Sequence, residues 1–281
     1  MPSAQDIANY YTFSKLDYQL YNFSRKNISM HYGLWDETTK NHKQALLNEN
    51  KILADIAHIT DKDSVIDFGC GYGMSAIWLA LNRDCKITGI TIGLDQVEFA
   101  RKLAKQYGVS SQTQFRVADF HKTPFPDQSF SVVFAIESVS HSETKLTVLK
   151  EAYRILKPNG RLVIADGFFA KDPKSLTETE ATIAKKCFEG VHVPPVALKT
   201  DFENWITEAG FKNVQFFDKT KNILPTGKKV NTIGRFVYPF SKMLSKLGVK
   251  AFQPNHMDAF INQYYAFRDG LGVYGIFYAE K

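Results

Sequence analysis

The chain has 281 residues, 44% hydrophobic and 23% charged, with a formal charge of +6. Those proportions suit a globular protein with a sizeable core, and they exclude collagen-like, low-complexity and disordered classes. Cys70, Cys85 and Cys187 form no CxxC pair, so neither a disulfide framework nor a zinc ribbon is expected, and no metal site is predicted. The N-terminal residues lack the basic and apolar pattern of a secretory signal. No apolar run approaches the ~18 residues of a membrane span, so a cytoplasmic protein is expected.

In chain order, residues 1–50 are polar and aromatic, with eight Phe, Tyr or Trp in the first 35. A helix over roughly 43–58 leads into Ser64-Val65-Ile66-Asp67-Phe68, a short buried-strand pattern. Lys86 to Ile90 predicts a second strand, and Val97, Ala100, Ala104 and Tyr107 mark one face of the next helix. Gln114–Ala118 and Ser131–Ala135 read as strands three and four, and Leu146, Leu149, Tyr153 and Leu156 as a helix. Lys157-Pro158-Asn159-Gly160 predicts a turn before a fifth strand, Arg161–Ala165. Phe202, Trp205, Ile206 and Ala209 give another helix, ended by Gly210, with strands at Val214–Phe217 and Val273–Ala279.

Strands alternating with helices, each strand nearly continuous in apolar residues, predict an α/β fold with a mainly parallel sheet covered on both faces. Ligands of such sheets bind beyond the carboxyl ends of the strands. That directs attention to Asp67–Gly73, Thr91 onward, Asp119, Glu137–His141 and Asp166.

In Asp67-Phe68-Gly69-Cys70-Gly71-Tyr72-Gly73, alternate glycines let the backbone turn sharply and lie against a ligand. A tight turn with no ligand is one reading. Gly71-x-Gly73-x-x-Ala76 also fits the dinucleotide fingerprint. Against the latter, Asp67 would repel a pyrophosphate, and the acid expected at the end of the second strand is missing from Gly89-Ile90-Thr91-Ile92. An acid beside a glycine loop suits a cationic, phosphate-free nucleoside.

Here the chain resembles the class I S-adenosylmethionine-dependent methyltransferases. Asp119-Phe120 follows the third strand, where that family places an acid near the adenine amine and an apolar residue on its ring. Pro124–Val133 is similar to the family's PFPDxSFDxV stretch, with Ser131 in place of its Asp, and Leu156–Leu162 to its LKPGG turn. Thr91-Ile92-Gly93-Leu94-Asp95-Gln96 resembles the subgroup that includes tocopherol, sterol and cyclopropane-fatty-acid methyltransferases. The resemblance implies a Rossmann-like seven-stranded sheet with helices on both faces and a helical cap. It also implies S-adenosyl-L-methionine as cofactor, with Asp67, Gly69, Cys70, Gly71, Gly73, Thr91, Ile92, Gln96, Asp119, Phe120 and Glu137 around it.

Glu137-Ser138-Val139-Ser140-His141 resembles the ES-x-x-H segment of tocopherol methyltransferases and of enzymes that methylate sugar hydroxyls in natural products. In the sugar enzymes this His and an Asp at the end of the fifth strand are held to activate the hydroxyl, which implies catalytic roles for His141 and Asp166. The HxGxW stretch His31–Trp35 resembles a segment that covers the active site in the same relatives, so Tyr18, His31 and Trp35 are expected to line the acceptor pocket.

The expected organisation is a cap segment over 1–45, a cofactor-binding core over 46–220 plus 271–281, and cap insertions at 170–200 and 221–270. Eight basic residues and no acid lie between 219 and 250, interleaved with apolar residues that predict an amphipathic helix broken at Pro239. A solvated face, a lid over the acceptor and a membrane-surface helix are its readings, and the lid is preferred to the membrane helix. The expected reaction is O-methylation of a small, fairly apolar acceptor. C-methylation of an isoprenoid or olefin, N-methylation of an amine, and a non-catalytic RNA or membrane-surface binder rank below it. A nucleic-acid partner is not expected.

Overall fold

The computed structural model describes residue 29 and residues 31–189, 194, 196–247 and 254–281. Its elements in chain order are α1 (His42–Ile56), β1 (Ser64–Phe68), α2 (Met74–Arg83), β2 (Lys86–Thr91), α3 (Leu94–Gln106), β3 (Thr113–Val117) and β4 (Phe130–Ile136). A 3-10 turn, Val139–His141, precedes α4 (Lys145–Ile155) and β5 (Leu156–Phe169), and a second, Pro173–Ser175, follows β5. There follow α5 (Glu178–Glu189), α6 (Lys199–Glu208), β6 (Lys212–Asp218), α7 (Thr220–Lys246), α8 (Pro254–Arg268) and β7 (Gly272–Glu280).

The seven strands form one sheet in the order β3-β2-β1-β4-β5-β7-β6. Strands β1 to β5 pair in parallel, with Asp67 opposite Gly89 on one side and Phe134 on the other. The order reverses between β1 and β4, which is where doubly wound sheets open a crevice for ligands. Asn159 N–H donates to the Lys281 carbonyl (3.1 Å) and Ala170 N–H to that of Leu271 (3.0 Å), so β7 runs antiparallel to β5. Val65, Ile66, Val132, Val133, Leu162 and Val163 are fully buried, as strands covered on both faces require.

The chain divides into two compact units. The core unit is Leu47–Asp166, Thr200–Phe217 and Gly275–Lys281. Its crossover helices turn their apolar faces inward: Ala76, Ile77, Leu79 and Ala80 on α2, and Val97, Ala100, Leu103 and Ala104 on α3. The helical unit comprises the described residues up to Leu46, Gly167–Lys199 and Asp218–Tyr274. In it α8 packs against both α5 and α7.

Two expectations are corrected. Lys157–Gly160 is not a free turn before the strand but part of β5. The β4–β5 register slips between Phe130 and Val132, and Asn159 takes a left-handed φ of 62°. Pro158 and Gly160 therefore sit in a bulge, the local irregularity their chemistry favours. Lys281 holds that bulge in the sheet through the Asn159 bond and its own N–H to the Gly160 carbonyl (2.9 Å). Likewise α7 runs unbroken through Pro225 and Pro239. Proline removes one helix hydrogen bond. Val230, Ile233, Val237 and Tyr238 pack on Met257, Ala259 and Phe260, and that packing keeps the segment helical.

Candidate active site

The loop after β1 is shaped by glycines that no other residue could replace without strain. Gly69 has φ 76°, and a Cβ there would lie 2.4 Å from the Ser138 Cβ. Its N–H and that of Cys70 both donate to the Ile90 carbonyl, at 3.0 and 2.9 Å. Gly73 has φ 81°, and a Cβ there would meet Ala100 and the Phe115 ring at 2.8 Å. Positive φ is nearly free only for glycine. The loop is thus pressed against the end of β4 on one side and against α3 and β3 on the other. Asp67 is almost fully buried beside it. Burial and the Asp67 charge push the Cys70 thiol well above its ordinary value, which disfavours the thiolate.

At the end of β2, the Thr91 hydroxyl donates to Gln96 Oε1 at 2.5 Å, and both side chains are buried. Ile92, between them in sequence, is half-buried. After β3, Phe120 stacks on Phe68 with ring centroids 6.0 Å apart. Asp119 Oδ1 accepts the His121 backbone N–H (2.8 Å) and lies 2.6 Å from His121 Nδ1. His121 Nε2 in turn lies 2.7 Å from the Ser142 hydroxyl. The Ser131 hydroxyl, at the position where the resembled pattern has Asp, donates to Asp63 Oδ1 at 2.7 Å.

The turn after β4 ties these strand ends together. Glu137 holds a left-handed φ of 46° while its N–H donates to the Ala165 carbonyl at 2.8 Å. A non-glycine residue in that region is strained, a feature that clusters at functional sites. The Ser138 hydroxyl donates to the Phe68 carbonyl (2.5 Å), and the Ser140 N–H donates to Asp166 Oδ2 (2.9 Å). Through Ser138, Ser140 and Ser142 this one turn is bonded to β1, to the β5 residue Asp166, and to the segment after β3.

His141 closes the turn and is half-buried. Burial, and then the nearby Lys145 charge, lower its imidazole from 6.5 to about 4. It is therefore neutral at physiological pH and able to take a proton. Lys145 is itself buried, with Nζ donating to the Ser142 carbonyl at 2.7 Å. Burial lowers its ammonium, while Asp166 and Glu143 raise it. Asp166 thus faces a cation and a backbone N–H on the same turn that carries His141.

Asp67, Gly69, Cys70, Gly71, Gly73, Thr91, Ile92, Gln96, Asp119, Phe120, Glu137, His141 and Asp166 all belong to the core unit, at or just beyond the carboxyl ends of β1 to β5. His31 and Trp35 belong to the helical unit. There His31 Nδ1 lies 2.8 Å from the Tyr32 carbonyl, and Trp35 Nε1 donates to the Thr226 hydroxyl at 2.9 Å. Tyr18 lies outside the described residues. His121, Ser142 and Lys145 join the site without having been anticipated. The signals were present in Asp119-Phe120-His121 and in Ser142-x-x-Lys145, but such short polar spacings are common in loops and helix starts. Among the described residues, no cluster of His, Cys, Asp or Glu could hold a metal ion.

The arrangement fits S-adenosylmethionine. A phosphate group has no place against the buried Asp67 carboxylate, whereas a cationic nucleoside gains from it. The loop offers backbone where a Cβ would fill the space.

Residues 59–218 match the family described as "Methyltransferase domain". The 27-O-demethylrifamycin SV methyltransferase of Amycolatopsis mediterranei is 32% identical over 201 residues, covering 72% of this chain and 73% of that one. An O-methyltransferase of Penicillium expansum is 33% identical over 210 residues, covering 73% of each. Among solved structures, the geranyl diphosphate C-methyltransferase of Streptomyces coelicolor A3(2), in complex with Mg2+, geranyl diphosphate and S-adenosyl-L-homocysteine, superposes with a TM-score of 0.74. It is 18% identical, over 100% of this chain and 98% of that one. The glycine loop, the buried acid and these likenesses agree, and the chain belongs to the class I S-adenosylmethionine-dependent methyltransferases that act on small molecules.

Proposed function

We propose that this methyltransferase methylates a hydroxyl oxygen of a small, largely apolar acceptor, with His141 as the base. The observation that carries the reading is the half-buried imidazole in the turn after β4, neutral at physiological pH and one residue after the N–H that Asp166 accepts. The bound cofactor supplies an electrophilic methyl on a sulfonium centre. The chain's own task is to hold the acceptor oxygen in line with that methyl and to remove the hydroxyl proton. Positioning of this kind supplies about 7–11 kcal/mol, and a placed base a further ~10²–10⁴-fold. When bound, the cofactor would give up that methyl to the acceptor oxygen and keep the carbon–sulfur electron pair. The hydroxyl proton passes to His141, and the Asp166 carboxylate offsets the charge that then develops.

Support for an oxygen acceptor comes from the relatives of Amycolatopsis and Penicillium, whose names specify O-methyl chemistry. His141→Ala is expected to lower kcat by about 10²-fold or more while S-adenosylhomocysteine affinity stays the same, because the role arises only at the transition state. Asp166→Asn keeps an acceptor for Ser140 and removes the charge, so a smaller loss is expected. Full activity in both variants would end the O-methylation reading and favour C-methylation.

A further inference from the structure

We propose that the outer face of α7 docks on an anionic phospholipid surface. Helix α7 already has one satisfied face: Val230, Ile233 and Val237 pack on α8, and Asn231 Nδ2 donates to the Ile261 carbonyl at 2.9 Å. A second apolar row stands on its far side. Phe236, Phe240, Met243 and Leu247 follow one another at intervals of four, three and four residues, which keeps them on one stripe of a helix. They are 82%, 56%, 49% and 72% exposed. Leu247 continues the helical pattern just past the end of α7, its N–H donating to the Met243 carbonyl.

A row of charge lies beside that stripe. Lys228, Arg235 and Lys242 recur every seven residues and Lys246 follows one turn later, all four exposed. At 3.6 residues per turn they fall on one edge of the apolar row. Lys242 is steadied there, with Nζ 4.5 Å from the centre of the Tyr238 ring. No Asp or Glu occurs from 219 to 257, so nothing within the helix neutralises the row. An exposed apolar stripe of Phe, Met and Leu edged by Lys and Arg is the pattern of a helix lying in a membrane interface. No described helix is long and apolar enough to cross a bilayer, so the contact is one of surface, not of span.

Charge selects this occupant over others. Two copies meeting across a two-fold axis on this face would set like-charged rows side by side. A nucleic acid would use the basic row and leave the apolar one exposed.

The test uses the full chain and sedimentation with vesicles of equimolar phosphatidylglycerol and phosphatidylcholine, beside vesicles of phosphatidylcholine alone. The chain is expected to pellet with the anionic vesicles at about 0.15 M salt and at least about tenfold less with the neutral ones. Phe236→Asp with Phe240→Asp is expected to abolish binding, with thermal midpoint and S-adenosylhomocysteine affinity unchanged. Should that pair melt early, Phe236→Ser with Phe240→Ser carries the same test. Lys228→Glu, Arg235→Glu, Lys242→Glu and Lys246→Glu together are expected to erase the preference for phosphatidylglycerol. The proposal is overturned if neither vesicle retains the chain, or if the aspartate variant binds like the wild type. It is also overturned if light scattering without vesicles shows a dimer that the aspartate variant dissolves, which would assign the face to a second copy.

Discussion

His141 links stability to pH in a direction set by its burial. Its imidazole ionises near 6.5 in the unfolded chain and at about 4 in the fold, so below 6.5 the unfolded state takes up the proton first. Stability is therefore complete above pH 6.5, falls as the pH drops towards 4, and stops falling below that on this account. The span corresponds to at most about 3 kcal/mol. His42 adds to the same window, since burial, then Lys229 and His31, lower it to about 4 as well. Urea midpoints at pH 7 and pH 5 should differ in the wild type, and His141→Gln should remove part of that difference. An equal difference in the variant would place the titration elsewhere. Burial is the larger cause of the His141 shift and the Lys145 ammonium the smaller, so Lys145→Met should raise the imidazole only part of the way back when followed by NMR. At this scale the resemblance singled out Thr91 and Gln96 together, and the fold bonds those two side chains to each other. It was silent on His121, because the bonds to Asp119 and Ser142 depend on strand ends that only the fold brings together.

Among the elements, the turn after β4 and the loop after β1 are fitted to each other, and Gly69 is where they touch. Gly69→Ala must adopt a left-handed φ and also drive its Cβ into Ser138. The conformation alone costs about 1–2 kcal/mol, and the clash adds to it because Ser138 is fixed by its bond to Phe68. Gly108→Ala offers the control, since φ there is 73° and nothing lies within 4 Å of the new Cβ. Chemical denaturation should show Gly69→Ala losing at least about 1 kcal/mol more than Gly108→Ala. Equal losses would mean that the loop yields freely. The strands and crossover helices were legible because their apolar periods are strong. The bulge at Lys157–Gly160 was not, since it is closed by Lys281, far off in the chain. The continuity of α7 through Pro239 was hidden for a similar reason: local chemistry predicts a break, and packing on α8 decides the outcome.

For the molecule as a whole, the residues proposed to hold the cofactor lie in the core unit, so cofactor affinity should follow that unit's chemistry. Asp67→Ala should weaken S-adenosylhomocysteine binding about tenfold or more, the loss of roughly one charge-assisted contact, and reduce the rise in thermal midpoint that the ligand gives the wild type. Retention of wild-type affinity would remove Asp67 from the site. The central claim concerns the atom that receives the methyl group, and one measurement reads it directly. The chain is incubated with S-adenosylmethionine carrying a 13C methyl and an extract of small hydroxylated metabolites, and the new methyl is followed by 13C NMR, beside His141→Ala. The account predicts a signal in the range of oxygen-bound methyl carbons, strongly reduced in the variant. A methyl signal in the carbon-bound range, formed equally well by His141→Ala, would contradict it.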